Sequence, residues 1–193
     1  MLRSTLFILL VAFSASGYGQ GVDYTYVQAS YGQMELDLGI ADVDGDGFGI
    51  SGSAAVSENF HVFGDYQMAG LDFGVDLDIL ELGFGYNTAI SETMDFVARA
   101  AYVRLEADAP GVPSDAADGY GIGIGVRGMV ADDVELHGGL DYIDVDSSGG
   151  SSDSETRFRA GFMYGFSENF SAGLDGSWWD DVSILRITAR FSF

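Results

Sequence analysis

Val182-Ser-Ile-Leu-Arg-Ile-Thr-Ala-Arg-Phe-Ser-Phe193 decides the reading of this chain. Leu185, Ile187, Ala189, Phe191 and Phe193 fall on one face, and Ser183 extends their row. Arg186, Thr188, Arg190 and Ser192 take the other face. A period of two is that of a β-strand with one apolar and one polar side. The apolar row runs to the final aromatic residue, and the rest of the sequence has to say whether it meets a protein core or hydrocarbon.

The same alternation recurs upstream, separated by short polar turns. Ser57-Glu-Asn-Phe60 returns as Ser167-Glu-Asn-Phe170, with Ser91-Glu-Thr-Met94 and Ala131-Asp-Asp-Val134 as looser copies. The turn starts lie 34, 40 and 36 residues apart. That spacing suits two strands of ~10 residues, one short turn and one longer loop. Reading outward from the turns predicts ten strands: Tyr24–Tyr31, Gly47–Val56, Phe60–Met68, Leu77–Tyr86, Phe96–Leu105, Tyr120–Val130, Val134–Asp144, Phe158–Phe166, Phe170–Trp178 and Val182–Phe193. The first strand and Ala98 to Val103 alternate weakly, so eight strands is the alternative.

Composition selects the class. The chain of 193 residues has 28 Gly, 2 Pro, 13% aromatic residues and a net charge of −22, yet its mean hydropathy is +0.15. A chain both apolar on average and highly charged must segregate the two. An antiparallel up-and-down transmembrane β-barrel does so, with an apolar outside, a polar inside and charged ends. The glycine-rich polar face suits a narrow lumen that cannot hold a large side chain from every strand. Tyr26, Tyr66, Tyr86, Tyr102, Tyr142, Tyr164, Phe166, Trp178 and Phe193 are expected as interfacial girdles. So acidic a chain does not suit nucleic acid.

Met1-Leu-Arg3, the apolar run Thr5 to Phe13 and the small residues Ser14-Ala-Ser-Gly-Tyr-Gly19 follow the pattern of a secretory signal peptide. The expected division is therefore a signal peptide over 1–19 and a barrel domain over 20–193. The apolar run is far shorter than the ~20 residues of a spanning helix. With no cysteine, no lipid anchor, disulfide or thiolate site is expected.

Every basic residue is arginine. Arg99, Arg127, Arg157, Arg159, Arg186 and Arg190 fall in the lumen phase, with Asp65, Glu81, Glu135, Asp141 and Asp175. Such nearly balanced charges should pair, since a guanidinium grips a carboxylate with two hydrogen bonds. A salt-bridged, closed lumen is expected, and a narrow cation-preferring pore is the alternative. His61 and His137, near Asp65 and near Glu135 and Asp141, begin outward-running strands and read as lumen residues. No nucleophile signature is present, so no enzyme is expected.

Glu35–Asp46, Asp72–Asp76, Glu106–Asp118, Asp146–Glu155 and Asp180–Asp181 read as acidic extracellular loops. Lipopolysaccharide is itself anionic, so such loops would meet it through bridging divalent cations or simply be repelled by it. Asp42-Val-Asp44-Gly-Asp46-Gly47 matches the first half of a calcium loop, with Asp42, Asp44 and Asp46 as ligands. Ser53 stands where the bidentate Glu belongs, so only loosely bound calcium is expected, and no other cofactor.

The chain resembles the small outer-membrane barrel family of xanthomonads and relatives that is named for a reputed activator of rice immunity. The resemblance rests on Tyr24-Thr-Tyr-Val-Gln-Ala-Ser-Tyr31, Glu58-Asn-Phe-His-Val-Phe-Gly-Asp-Tyr66, Gly83-Phe-Gly-Tyr-Asn87, Arg99-Ala-Ala-Tyr102 and the aromatic carboxy-terminus. More loosely, the chain is similar to OmpA/OmpX-type barrels. The resemblance implies a Gram-negative outer-membrane location and a poorly defined role; a monomer among outer-membrane lipid and lipopolysaccharide is expected. It also implies that Phe191 and Phe193 are part of the signal read by the barrel-assembly machinery.

Overall fold

The computed structural model describes residues 22–37, 42–112, 114–147, 149–150 and 152–193. The expected signal peptide lies outside them. The strands are β1 (Tyr26–Asp37), β2 (Asp42–Ala55), β3 (Phe60–Leu71), β4 (Val75–Ala89) and β5 (Met94–Asp108), followed by β6 (Asp115–Ala131), β7 (Val134–Ser147), β8 (Ser152–Gly165), β9 (Phe170–Trp179) and β10 (Val182–Ser192). All ten pair antiparallel with their neighbours, and β1 pairs with β10 to close the barrel. Closure leaves no sheet edge unpaired, which hydrocarbon demands of a spanning structure.

Tyr26 faces Ser192 across the closing pair, so β1 starts and β10 ends at one rim, here the base. The tight turns lie there. Val56 N donates to Phe60 O at 2.8 Å, Ile90 N to Met94 O at 2.9 Å and Phe166 N to Phe170 O at 2.8 Å. The two SENF turns and SETM thus share one geometry. Ala131-Asp-Asp-Val134 does not: it turns in two residues, and the register shifts between Met129 and Ala131.

Side-chain direction follows the period of two. On β8, Phe158, Ala160, Phe162 and Tyr164 point out, while Arg157, Arg159, Gly161 and Met163 point in. On β6, Ile122, Ile124 and Val126 point out, opposite Gly121, Gly123, Gly125 and Arg127. Most of the expected girdle residues are on the outside, but Tyr26 is not: it faces the lumen, because β1 places it in phase with Gln28 and Ser30.

Three of the expected acidic loops are largely strand, and a fourth, Asp72–Asp76, is a short 3-10 turn over Asp72–Gly74 that runs into β4. β1 runs to Asp37 and β2 begins at Asp42; β4 begins at Val75, β5 runs to Asp108, β6 begins at Asp115, and β7 and β8 reach Ser147 and Ser152. The reason is a reversal of polarity along each strand. Toward the outer rim, Met34 and Leu36 point in while Glu35 and Asp37 point out. Leu77 and Ile79 point in while Asp76 and Asp78 point out, and Ile143 and Val145 point in while Asp144 and Asp146 point out. Below, the strands are apolar outside, as a membrane requires. Above, they are apolar inside, as water requires. The barrel therefore rises past the apolar belt and acquires a small water-type core of Met34, Ile79 and Ile184, packed with Leu36, Leu77, Leu105 and Trp179.

The same extension corrects the calcium-loop geometry. Asp42, Asp44 and Asp46 are on alternate positions of β2 and point outward, strung along the strand instead of converging. Among the described residues no group of three or more His, Asp or Glu is gathered as a metal site.

Candidate functional site in the barrel lumen

Buried charges are tolerated only when paired and hydrogen-bonded, and the lumen meets that condition in two clusters. The middle cluster joins β4, β5, β7 and β8. Asp141, only 2% exposed, accepts from Arg159 Nε at 2.5 Å and Arg157 Nη2 at 3.1 Å, and Arg99 Nε is 3.2 Å away. Glu81 accepts from Arg99 Nη2 at 2.6 Å and Arg157 Nη1 at 2.5 Å. Three guanidinium groups thus share two carboxylates.

The base cluster joins β6, β7 and β10 with the segment before β1. Arg127 forks onto Glu135, Nε to Oε1 at 2.6 Å and Nη2 to Oε2 at 3.0 Å. Arg190 Nη1 donates to the same Oε2 at 3.0 Å, and its Nε donates to Gln28 at 3.1 Å. Tyr24 lies across this cluster. Its hydroxyl donates to Asp95 at 3.0 Å, and its ring stacks on His61 at 4.6 Å. The guanidinium carbon of Arg127 is 4.9 Å from the Tyr24 ring centre, and that of Arg190 is 4.3 Å from the Tyr26 ring centre, within cation–π range.

All eleven charged residues expected in the lumen are there, but they do not form one network. Asp175 is 2.6 Å from His137 Nε2, and Asp65 accepts from Gln67 Nε2 at 2.6 Å. Arg186 joins neither cluster. The partner of His61 is Asn87, at 3.2 Å, not the Asp65 that sequence proximity suggested. Tyr24, Tyr26, Gln28, Asn87 and Asp95 were missed. Tyr26, Gln28 and Asp95 are readable from strand phase once the strand bounds are known; Tyr24 shares the phase of Tyr26 and Gln28 in the predicted first strand, although β1 itself begins only at Tyr26.

The inward glycines are specific in what they permit. A Cβ at Gly123 would run into the Asp141 carboxylate. One at Gly161 would meet His137 Nε2 at 2.5 Å and Asp175 Oδ1 at 2.6 Å, and one at Gly32 would meet Arg186 Cγ at 2.6 Å. Each glycine is the space taken by a charged side chain from a neighbouring strand.

The apolar core of the outer rim packs above the middle cluster and the Tyr24 cluster packs below it. A cavity of about 190 Å³ runs between these levels, lined by Tyr24, Arg127 and Arg190 at one end and by Ile79, Trp179 and Ile184 at the other. At the outer rim, above the apolar belt and flanked by outward Ser154 and Thr156, Glu155 faces inward with Oε2 buried and unpartnered. Burial, and then Asp153, Asp180 and Asp181, push its carboxyl above the usual range. A proton held more tightly by the folded state stabilises it as pH falls through the raised folded pKa toward the unfolded value of about 4.3. Glu155→Gln should therefore be more stable than the wild type at pH 7, with the gap narrowing as pH falls and closing below the unfolded value of about 4.3. Urea unfolding at pH 7 and at about pH 4 checks this; a less stable variant at pH 7 would contradict it.

At the base rim, Phe191 and Phe193 point out and form an edge-to-face row with Phe170, with centroids 4.9 Å apart for Phe170–Phe191 and 5.0 Å for Phe191–Phe193.

No protein-family model matches the chain, and neither does any curated protein. Solved structures do. The β domain of the Bordetella autotransporter Brka is similar over 89% of this chain and 100% of its own, at 10% identity and a TM-score of 0.54. The translocator domain of the autotransporter NalP from Neisseria meningitidis is similar over 93% of this chain and 90% of its own, at 12% identity and a TM-score of 0.51. The KdgM porin is similar over 86% and 99%, at 12% identity and a TM-score of 0.46. The solved neighbours are outer-membrane β-barrels. At these identities the likeness is one of fold.

Proposed function

We propose that this chain is an exported, non-enzymatic, monomeric protein of the Gram-negative outer membrane whose lumen is closed and whose role is structural or surface-interacting. The observation that supports the reading is that side chains pack into the lumen at two levels: the Arg127–Glu135–Tyr24 layer at the base and the Met34–Ile79–Ile184 core at the outer rim. A small barrel interior is normally filled by side chains, and here ion pairs and an apolar core divide that work. In this reading the export signal is 1–19, Phe191 and Phe193 address the chain to the assembly machinery, and the membership suggested by the xanthomonad-type resemblance adds no ligand.

The outward carboxylates of the projecting rim support contact with lipopolysaccharide through divalent cations. Glu35 opposes Asp44, Asp37 opposes Asp42 and Asp76 opposes Asp108, whereas Glu106 and Asp118, opposite Asp78 and Asp146, are already paired with Arg104. Like charges directly opposite on a ladder repel, and a divalent cation shared with an anionic headgroup relieves that repulsion. Magnesium should raise the unfolding temperature more in lipopolysaccharide bilayers than in phosphatidylcholine; equal shifts would leave the rim a merely solvated surface. Arg127→Ala combined with Arg159→Ala tests the closure. The double variant should lose stability or begin to leak ions. Unchanged stability with altered selectivity of an already conducting barrel would make these residues a pore lining.

A further inference from the structure

We propose that the lumen cavity is a binding site for a small anion, with Arg186 as its principal ligand. The cavity of about 190 Å³ is lined by Arg99, Arg127, Arg157, Arg159, Arg186 and Arg190, but by only three carboxylates, Asp65, Glu81 and Asp175. Asp141 and Glu135, which neutralise most of these arginines, are behind the wall and do not line it. The surface that a guest meets is therefore cationic, although the lumen as a whole is nearly balanced.

Arg186 is the least engaged of these cations. Among the described residues, no carboxylate is within ion-pair distance of it and its Nε is buried without a partner, so that Asp65 and Asp175 act on it only from farther away. Its register neighbour on β9 is Asp175, but Asp175 is already held by His137 at 2.6 Å. Its stem crosses Gly32, where any Cβ would displace it. Of the other buried polar atoms without partners, Ser53 Oγ can donate and belongs to a residue that also lines this cavity, while Asp175 Oδ2, an acceptor, opposes an anion on its side of the wall. A guanidinium held by packing with an unused donor, in a cavity with a second unused donor on Ser53, matches the chemistry of an inorganic anion or small carboxylate. The site would place the guest between the apolar outer core and the Tyr24 layer.

Trp179 lines the cavity and reports on it. Trp178 points to the outside, and the chain has 2 Trp, so Trp178→Phe leaves Trp179 as the single emitter. The probe is iodide, titrated into the folded Trp178→Phe barrel in neutral detergent at constant ionic strength, with folding checked by the heat-shifted gel band. Saturable quenching, displaced by chloride and not produced by caesium, is expected. Arg186→Gln should weaken apparent iodide binding at least tenfold, and Arg186→Lys should weaken it less. Quenching that rises linearly without saturation, that folded Arg186→Gln leaves unchanged, or that caesium matches, would overturn the proposal. If Arg186→Gln fails to fold, Gln67→Glu, which adds a carboxylate to the cavity wall, should weaken iodide binding in its place; unchanged binding would overturn the proposal. The inference rests on the closed-lumen reading only for the ends of the cavity. Bilayer conductance reports on closure and quenching reports on the occupant, so either can fail without the other.

Discussion

Replacing Asp141 by Asn is expected to destabilise the folded barrel by about 3–5 kcal/mol, the usual cost of removing one partner from a buried ion cluster. Asp141 is the most heavily shared acceptor of the lumen, with Arg99, Arg157 and Arg159 all within 3.2 Å. Asn is isosteric, so no cavity opens; what changes is charge. Three guanidinium groups would then face Glu81 alone, at short range in a poorly screened interior. The check is the urea midpoint of refolding in detergent. Glu81→Gln should cost less than Asp141→Asn because Glu81 serves two arginines, not three. Adding Glu81→Gln to Asp141→Asn should cost far more than the sum of the two alone, since the arginines would then have no carboxylate in that cluster. A change below about 1 kcal/mol for Asp141→Asn, the level of an exposed pair, would mean that water screens the cluster.

The second large effect concerns the outer rim. Ile184→Ala should cost about 2–5 kcal/mol, because it removes a buried branched side chain and leaves a cavity. At the same level of the barrel, Asp44→Ala should stay within about 0.5 kcal/mol of the wild type, as surface substitutions do, or gain slightly by relieving Glu35. Ile184 is 5% exposed and faces in, whereas Asp44 faces out. Denaturant unfolding of the two variants tests the polarity reversal directly. Were the rim a set of solvated loops, both substitutions would be nearly silent.

That reversal is also where sequence and structure part company. The barrel class was legible because β10, β8 and β6 keep apolar and polar residues in strict alternation, and because SENF repeats at the base. The lumen arginines were legible for the same reason: in a strand, phase alone assigns the side. The projecting ends were not, because acid-rich, glycine-containing stretches have the composition of loops. Yet Met34-Glu-Leu-Asp37, Val75-Asp-Leu-Asp-Ile79, Leu105-Glu-Ala-Asp108 and Ile143-Asp-Val-Asp146 alternate as cleanly as the membrane segments. Their acids occupy the phase that holds apolar residues lower down. A membrane barrel was expected to be apolar outside throughout, and that expectation hid strands that leave the membrane and fold by the rules of water.

The lumen partners were less legible than the lumen positions. Register decides which arginine reaches which carboxylate, and register depends on strand bounds that the sequence set several residues short. Arg157 reaches Glu81, 76 residues away, as well as its neighbour Asp141. Tyr24 illustrates a second limit: phase puts it on the lumen side of the predicted first strand, but its partners Asp95, His61 and Arg127 come from three other strands and are set by register.

Planar-bilayer recording of the folded wild-type protein tests the closed lumen most directly. Folding is first confirmed by the heat-shifted gel band, and insertion by protease protection of the reconstituted barrel. The structure predicts an electrically silent membrane at every salt concentration tried, with or without calcium. Stable, repeatable conductance steps from inserted protein would contradict it, and would make the arginine-lined cavity one stretch of an open path.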